Sequence, residues 1–233
     1  MIETAFILCG GEGKRLKPLT TEIPKVLLPI QGKPILEYNI ELMKSNGIRN
    51  IVLGTGHFGD QIKNYFDNGK NFGVNITYSH EKETLGTGGA LRLASKHMKK
   101  TFIMCNGDEL KEVNINKMYE KHKQNNAHIT IALTSVKNPR PYGVAELEGE
   151  RITRFLEKPE QPPTNLINSG LYIVEPSIID LIPLGKVSIE REVFPKVADN
   201  KKLFGFVFTG KWLPTDTGEK YRNAEKEWIS NPY

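Results

Sequence analysis

With 38% hydrophobic and 25% charged residues over 233 positions, the chain reads as an ordinary soluble globular protein long enough to bury a core. No apolar run approaches the roughly 20 residues that span a bilayer, and the start Met1-Ile2-Glu3-Thr4 lacks a secretory leader's basic and apolar regions, so neither a membrane protein nor a secreted one is expected. The formal net charge of +5 is spread through mixed Lys, Arg, Glu and Asp without a basic tail or aromatic platform, which argues against nucleic acid and for a site that takes small anions.

Residues 5–9 form an apolar run that predicts a buried strand feeding a glycine turn. Gly10, Gly11 and Gly13 permit backbone approaches that a side chain forbids, so peptide N–H groups can face a phosphate or a base edge. Taken alone, the cluster reads first as a tight strand-to-loop turn. Arg15 adds a planar cationic fork, and Lys25, behind Pro24, a compact second charge; together they describe an anion pocket. The spacing excludes a P-loop, because no Gly-Lys-Ser/Thr follows. It also excludes a dinucleotide fingerprint, because Gly11-Glu12-Gly13-Lys14-Arg15-Leu16 ends in Leu and runs into Pro18.

A helix is predicted over 33–46, begun by Pro34 and ended near Gly47. Strands at 48–55, 74–79 and 101–105 then alternate with helices at 60–66 and 88–97, which implies parallel β-α-β units with ligands beyond the carboxyl ends of the strands. Between them EKETLGTGGA, residues 81–90, concentrates Gly86, Gly88 and Gly89 in a way that means close packing or close approach to a ligand, and Thr87 could cap the next helix. The strand at 101–105 leads into Asn106-Gly107-Asp108; a carboxylate there can reach a ligand, or can serve as a turn or cap residue. A helix at 114–124 and a β-branched strand at 127–136 follow. From Asn138 short strands at 144–147 and 151–156 read as antiparallel ribbons about a tip at Glu148-Gly149-Glu150. Helices at 176–182 and 189–197 and a strand at 203–209 lead to Asp216, which on local grounds would cap the last helix. Cys9 and Cys105 lie in apolar runs as reduced thiols would, which suits the cytoplasm, and the five histidines lack metal-ligand spacing.

The N-terminal motif resembles the signature of the sugar nucleotidyltransferases, G-G-x-G-x-R-L-x-P-L-T followed by P-K-x-L-L-P-I. It matches at Gly10, Gly11, Gly13, Arg15, Leu16, Pro18, Leu19 and Thr20, then at Pro24, Lys25, Leu27, Leu28, Pro29 and Ile30. The resemblance implies an α/β, Rossmann-like, mixed and mainly parallel sheet flanked by helices, with a small antiparallel β portion for the sugar. It implies one domain over 1–233, with 1–135 mainly binding nucleotide and 136–233 mainly binding sugar phosphate. Leu8, Gly10, Gly11, Gly13, Glu81, Gly86, Thr87 and Gly88 would hold the nucleotide. Arg15 and Lys25 would stabilise phosphate charge, and Asp108 would bind Mg²⁺. The family's Y-G, E-K-P and N-S/A-G-x-Y elements match Tyr142-Gly143, Glu157-Lys158-Pro159 and Asn168-Ser169-Gly170-Leu171-Tyr172, assigning Tyr142, Gly143, Glu157, Lys158, Asn168 and Gly170 to the sugar phosphate. Asp216 would be the second Mg²⁺ ligand, although three residues separate it from Trp212 and Gly218 leads straight into Glu219, a departure from the family's W-x-D-x-G-T-P-E.

These parts imply attack of a sugar 1-phosphate on the α-phosphorus of a nucleoside triphosphate. The EKExLGTGGAL form is most similar to members that make GDP-mannose or GDP-heptose. Thymidylyl or uridylyl transfer to glucose 1-phosphate is the alternative, with a non-catalytic nucleotide-sugar-binding relative as the rival from another class. Relatives commonly self-associate, so a homo-oligomer is compatible with the resemblance. No hexapeptide repeat is present, so the β-helix with acetyltransferase activity that many relatives append is not expected.

Overall fold

The computed structural model describes residues 1–228. In chain order the elements are β1 (Thr4–Leu8), β2 (Pro29–Ile30), β3 (Lys33–Pro34), α1 (Ile35–Ser45), β4 (Asn50–Thr55), α2 (Gly59–Phe66) and β5 (Asn75–His80). They continue as α3 (Gly86–Leu93), β6 (Phe102–Asn106), β7 (Glu109–Lys111), α4 (Ile115–Gln124), β8 (Ile129–Ser135), β9 (Gly143–Glu148), β10 (Arg151–Glu157) and β11 (Leu166–Val174). The last are α5 (Ile189–Glu192), α6 (Phe194–Asp199), β12 (Leu203–Val207), β13 (Trp212–Pro214) and α7 (Gly218–Glu227). No helix among the described residues is long and apolar enough to cross a membrane.

Two compact units interleave along the chain: one made of Met1–Thr84, Cys105–Glu112 and Gly210–Tyr233, the other of Leu85–Met104 and Val113–Thr209. The expected domain span 1–233 therefore includes residues 229–233, which lie outside the described residues.

In the first unit β1 pairs in parallel with β4, and β4 with β5, in the registers Thr4↔Asn50 and Asn50↔Asn75. Ala5, Phe6 and Ile7 are fully buried, as a strand covered on both faces requires. The carboxyl ends of all three strands run out into Gly10, Gly56 and Glu81, so these residues stand at the same end of the sheet. Below, β7 and β13 form a short antiparallel ribbon in the register Trp212↔Lys111, Leu213↔Leu110, Pro214↔Glu109. Its Leu110 and Leu213 pack into an apolar cluster with Leu16, Leu28, Ile35 and Trp228.

In the second unit β8 is flanked by β11, antiparallel, and β12, parallel, while β10 pairs antiparallel with both β12 and β9. Strand β11 was not expected: its register slips between Asn168 and Tyr172, and Gly170 at φ 67° breaks the apolar run that would have announced it. The stretch Pro176–Leu181 is a 3₁₀ helix rather than an α-helix. The helix predicted at 189–197 is two, α5 and α6, meeting at Val193. Pro195 lacks the N–H that an uninterrupted helix would use, but it is tolerated in the first turn of a new one.

Candidate active site

The turn after β1 is held open by Gly13, at φ 65°, whose carbonyl accepts a hydrogen bond from Thr20 Oγ1 at 2.8 Å. A Cβ at Gly10 would overlap the Glu81 carboxylate, which also lies against Gly56, whereas a Cβ at Gly11 would meet nothing within 4 Å. Gly10, Gly56, His57, His80 and Glu81 line a pocket of about 290 Å³ in the first unit. The structure thus brings Glu81, just past the end of β5, onto the glycine turn.

Beside that turn the charges interlock. Lys25, 8% exposed, is ion-paired with Asp108, and Arg15 Nη1 lies 2.8 Å from Asp216 Oδ2. Lys220 Nζ, one helical turn on, donates to Asp216 Oδ1 at 2.8 Å. Burial opposes ionisation of Asp108, but the charge and hydrogen bond of Lys25, with help from Lys111, outweigh it and hold the carboxyl below the usual range. Burial likewise opposes ionisation of Asp216, and Lys220, Arg15 and Lys25 together pull it down. Arg15, Lys25, Asp108 and Asp216 therefore belong to one network. The capping alternative for Asp216 fails, because Thr217 is the N-cap of α7 and accepts from Lys220 N at 3.4 Å. The Asp216 carboxylate is left to the cations.

Three side chains that position this network went unrecognised in the sequence. Asn39, buried within α1, donates to the carbonyls of Gly107 at 3.3 Å and Glu109 at 3.1 Å, and Thr215 Oγ1 donates to the Asp108 carbonyl at 2.7 Å. Lys220 had a legible signal, the four-residue spacing from Asp216. Asn39 and Thr215 act over long sequence separations and had none.

Leu8 ends β1 in the first unit, and the other expected residues fall in the second. Gly143 pairs with Glu157 across β9 and β10, Lys158 N donates to Tyr142 O at 3.0 Å, and a Cβ at Gly143 would strike Phe155. Tyr142, Gly143, Glu157 and Lys158 are thus one patch, with Lys158 at φ 53°, a conformation L side chains rarely adopt. Its Nζ lies 3.7 Å from Glu157 Oε1. Burial raises the Glu157 carboxyl above its usual range, the facing charge of Glu190 adds to that, and Lys158 and Arg191 only partly offset it. Asn168 turns inward, accepting from Gly170 N at 2.9 Å and donating to Tyr172 OH at 2.8 Å.

Gly86 adopts φ 71° and Gly88 N donates to Val187 O at 2.9 Å. Thr87 does not cap its own helix. Its hydroxyl donates to Glu190 Oε2 at 2.6 Å and accepts from Ile189 N at 3.0 Å, so the first turn of α3 is tied to the start of α5. Glu190, unremarked in a charged stretch, links Thr87 with the surroundings of Glu157.

A family model described as nucleotidyl transferase matches residues 4–229. The mannose-1-phosphate guanylyltransferase of Mycobacterium tuberculosis is 39% identical over 230 residues, covering 97% of this chain and 64% of that protein. The catalytic subunit beta of the Xenopus tropicalis enzyme of that name is 37% identical, covering 97% and 67%. The chain thus spans about two thirds of the length of these relatives. Among solved structures, HddC of Yersinia pseudotuberculosis superposes with a TM-score of 0.84 at 29% identity, covering 97% of this chain and 99% of that one, and has also been solved with GMP-PN. A Bacillus anthracis protein named provisionally as a glucose-1-phosphate thymidylyltransferase superposes at 0.91 with 23% identity, covering 99% and 98%, which establishes the nucleotide-diphospho-sugar transferase fold.

Proposed function

Because the chain belongs to the nucleotidyl transferase family, we propose that it joins a nucleoside triphosphate to a sugar 1-phosphate and releases pyrophosphate, with guanine as the base and mannose or heptose as the sugar. The observation that carries this reading is the linked network of Arg15, Lys25, Asp108 and Asp216 beside the glycine turn of β1. A sugar phosphate oxygen forms a bond to the α-phosphorus while the bridging α,β P–O bond breaks and pyrophosphate carries off the electron pair. No protein nucleophile is needed, because the attacking phosphate is already an anion. Arg15 and Lys25 offset the charge of the triphosphate, and Lys158 meets the sugar phosphate as a point charge.

Asp108 and Asp216 suit Mg²⁺ as its protein ligands. They offer only carboxylate oxygens, both held ionised, and this hard cation takes one or two carboxylates together with phosphate oxygens and water. When bound, it supplies charge neutralisation and orientation of phosphate oxygens.

Guanine is favoured by Glu81. A carboxylate only accepts hydrogen bonds, and the guanine edge offers an exocyclic amine and a ring N–H, whereas uracil and thymine offer a single ring N–H. The relatives named for guanylyl transfer support the same base. Glu157, in the second unit, accepts from sugar hydroxyls. A cytoplasmic location belongs to this reading through the two free, buried thiols, and self-association through the family resemblance.

A matrix of GTP, ATP, UTP and dTTP against mannose, heptose and glucose 1-phosphates, read as pyrophosphate release, tests it. Turnover greatest with GTP and mannose or heptose 1-phosphate is expected. Preference for UTP or dTTP with glucose 1-phosphate would replace the substrate pair, and no pyrophosphate with any pair would favour a non-catalytic binding protein.

A further inference from the structure

The two carboxylates of the network come from opposite strands of one small ribbon. Asp108 immediately precedes β7, and Asp216 stands two residues past the end of β13. The separation of the carboxylates therefore depends on how firmly these three-residue strands are held in register, and a ladder that short is weak by itself. Its two faces differ. By the alternation of side chains along a strand, Leu110 and Leu213 share one face and pack into the apolar cluster. Glu109, Lys111 and Trp212 share the other. There the Trp212 indole Nε1 donates to Glu109 Oε2 at 2.9 Å, and Lys111 Nζ lies 3.7 Å from the same oxygen. The Lys111 side chain is completely buried, and its ammonium also reaches Asn106 O at 3.4 Å and Cys105 Sγ at 3.6 Å.

Apolar packing on the leucine face is non-directional and tolerates small slips. Hydrogen bonds to a charged group have defined geometry. A lysine with no exposure is costly unless its charge is answered, so its place here needs a reason beyond packing. Lys111 reaches back to the turn that presents Asp108, and Trp212 lies on the strand that leads to Asp216.

We propose that Glu109, gripped by Trp212 and Lys111, is a pin that fixes the spacing of Asp108 and Asp216 and so sets the affinity for the divalent cation. All three are positioning residues that touch neither substrate nor metal. The proposal rests on the metal roles assigned above to Asp108 and Asp216.

Trp212→Phe keeps the aromatic bulk and removes the donor. The double variant Lys111→Met with Glu109→Gln removes both buried charges together, so neither is stranded. Mn²⁺ binding would be followed by water-proton relaxation with saturating GTP analogue whose α,β bridge is methylene and cannot be cleaved. In parallel, the Mg²⁺ dependence of pyrophosphate release would separate KM from kcat. Both variants are expected to bind Mn²⁺ about tenfold or more weakly and to raise the KM for Mg²⁺ to match, the scale of losing a group that orients a metal ligand. Their kcat at saturating Mg²⁺ should stay within a few-fold of the parent. Glu109→Gln alone, which keeps an acceptor for the indole, should lose less than Glu109→Leu.

Folded variants with parental Mn²⁺ affinity and Mg²⁺ KM, beside a parent that binds and turns over, would overturn the pin and leave the proposed reaction standing. A parent that binds no Mn²⁺ with nucleotide would overturn both. Should one variant fail to fold, the other decides.

Discussion

The two units treat their carboxylates in opposite ways. In the first, Asp108 and Asp216 are half-buried beside Lys25, Arg15 and Lys220, and the cations win over desolvation, keeping both acids ionised. In the second, Glu157 is half-buried near the charge of Glu190, and desolvation plus a like charge wins over Lys158, raising its carboxyl above the usual range. The same functional group thus stands in two electrostatic settings: carboxyls pulled down by neighbouring cations in the first unit, and one pushed up by burial and a like charge in the second.

The most severe way to break this contrast is to neutralise the first set. Asp108→Asn or Arg15→Ala should lower turnover at least ~10²-fold with the fold retained, the scale of losing one electrostatic stabiliser. Pyrophosphate release alongside a melting curve measures both halves of that statement. A smaller effect is expected at the base. Glu81→Gln gives the pocket a donor as well as an acceptor, and should erode the preference for GTP over UTP by about tenfold, the order of one lost base-edge contact. Competition between the two nucleotides reads this directly.

The smallest effect sharpens the contrast through stability. Asp216, depressed in the fold, contributes stability above its unfolded value of about 4, and that contribution is lost as pH falls through the folded value. Glu157, raised in the fold, contributes stability below its unfolded value of about 4.3, and that is lost as pH rises through the folded value. At pH 7, Asp216→Asn should therefore lower Tm and Glu157→Gln should raise it, each by about 2–4 °C per kcal/mol for a chain this size. Melts from pH 3 to 8 should show the two differences converging at the acid end. Shifts of the same sign at pH 7 would remove the contrast.

What the sequence made legible followed from local physics. The run at 5–9, the glycine turn and the cations behind it are contiguous, and strands buried on both faces announce themselves as apolar runs. That Arg15 meets Asp216 was open to resemblance alone, since some two hundred residues separate them. The ribbon of β7 and β13 gave no signal, because three-residue strands carrying Glu109, Lys111 and Trp212 show no apolar period and their pairing is purely long-range. Strand β11 is hidden by the irregularity at Asn168-Ser169-Gly170, and α5 and α6 follow one another so closely that they read as one helix, although Pro195 opens the second. Asn39, a polar residue with no local signal, is buried in α1 where the turn before Asp108 needs a donor.

The left-handed backbone of Lys158 carries one more consequence. Holding a side chain there costs on the order of 1 kcal/mol that glycine would not incur. Lys158→Gly should accordingly yield a hardier protein and a poorer catalyst, a direct conflict between durability and work confined to one peptide unit.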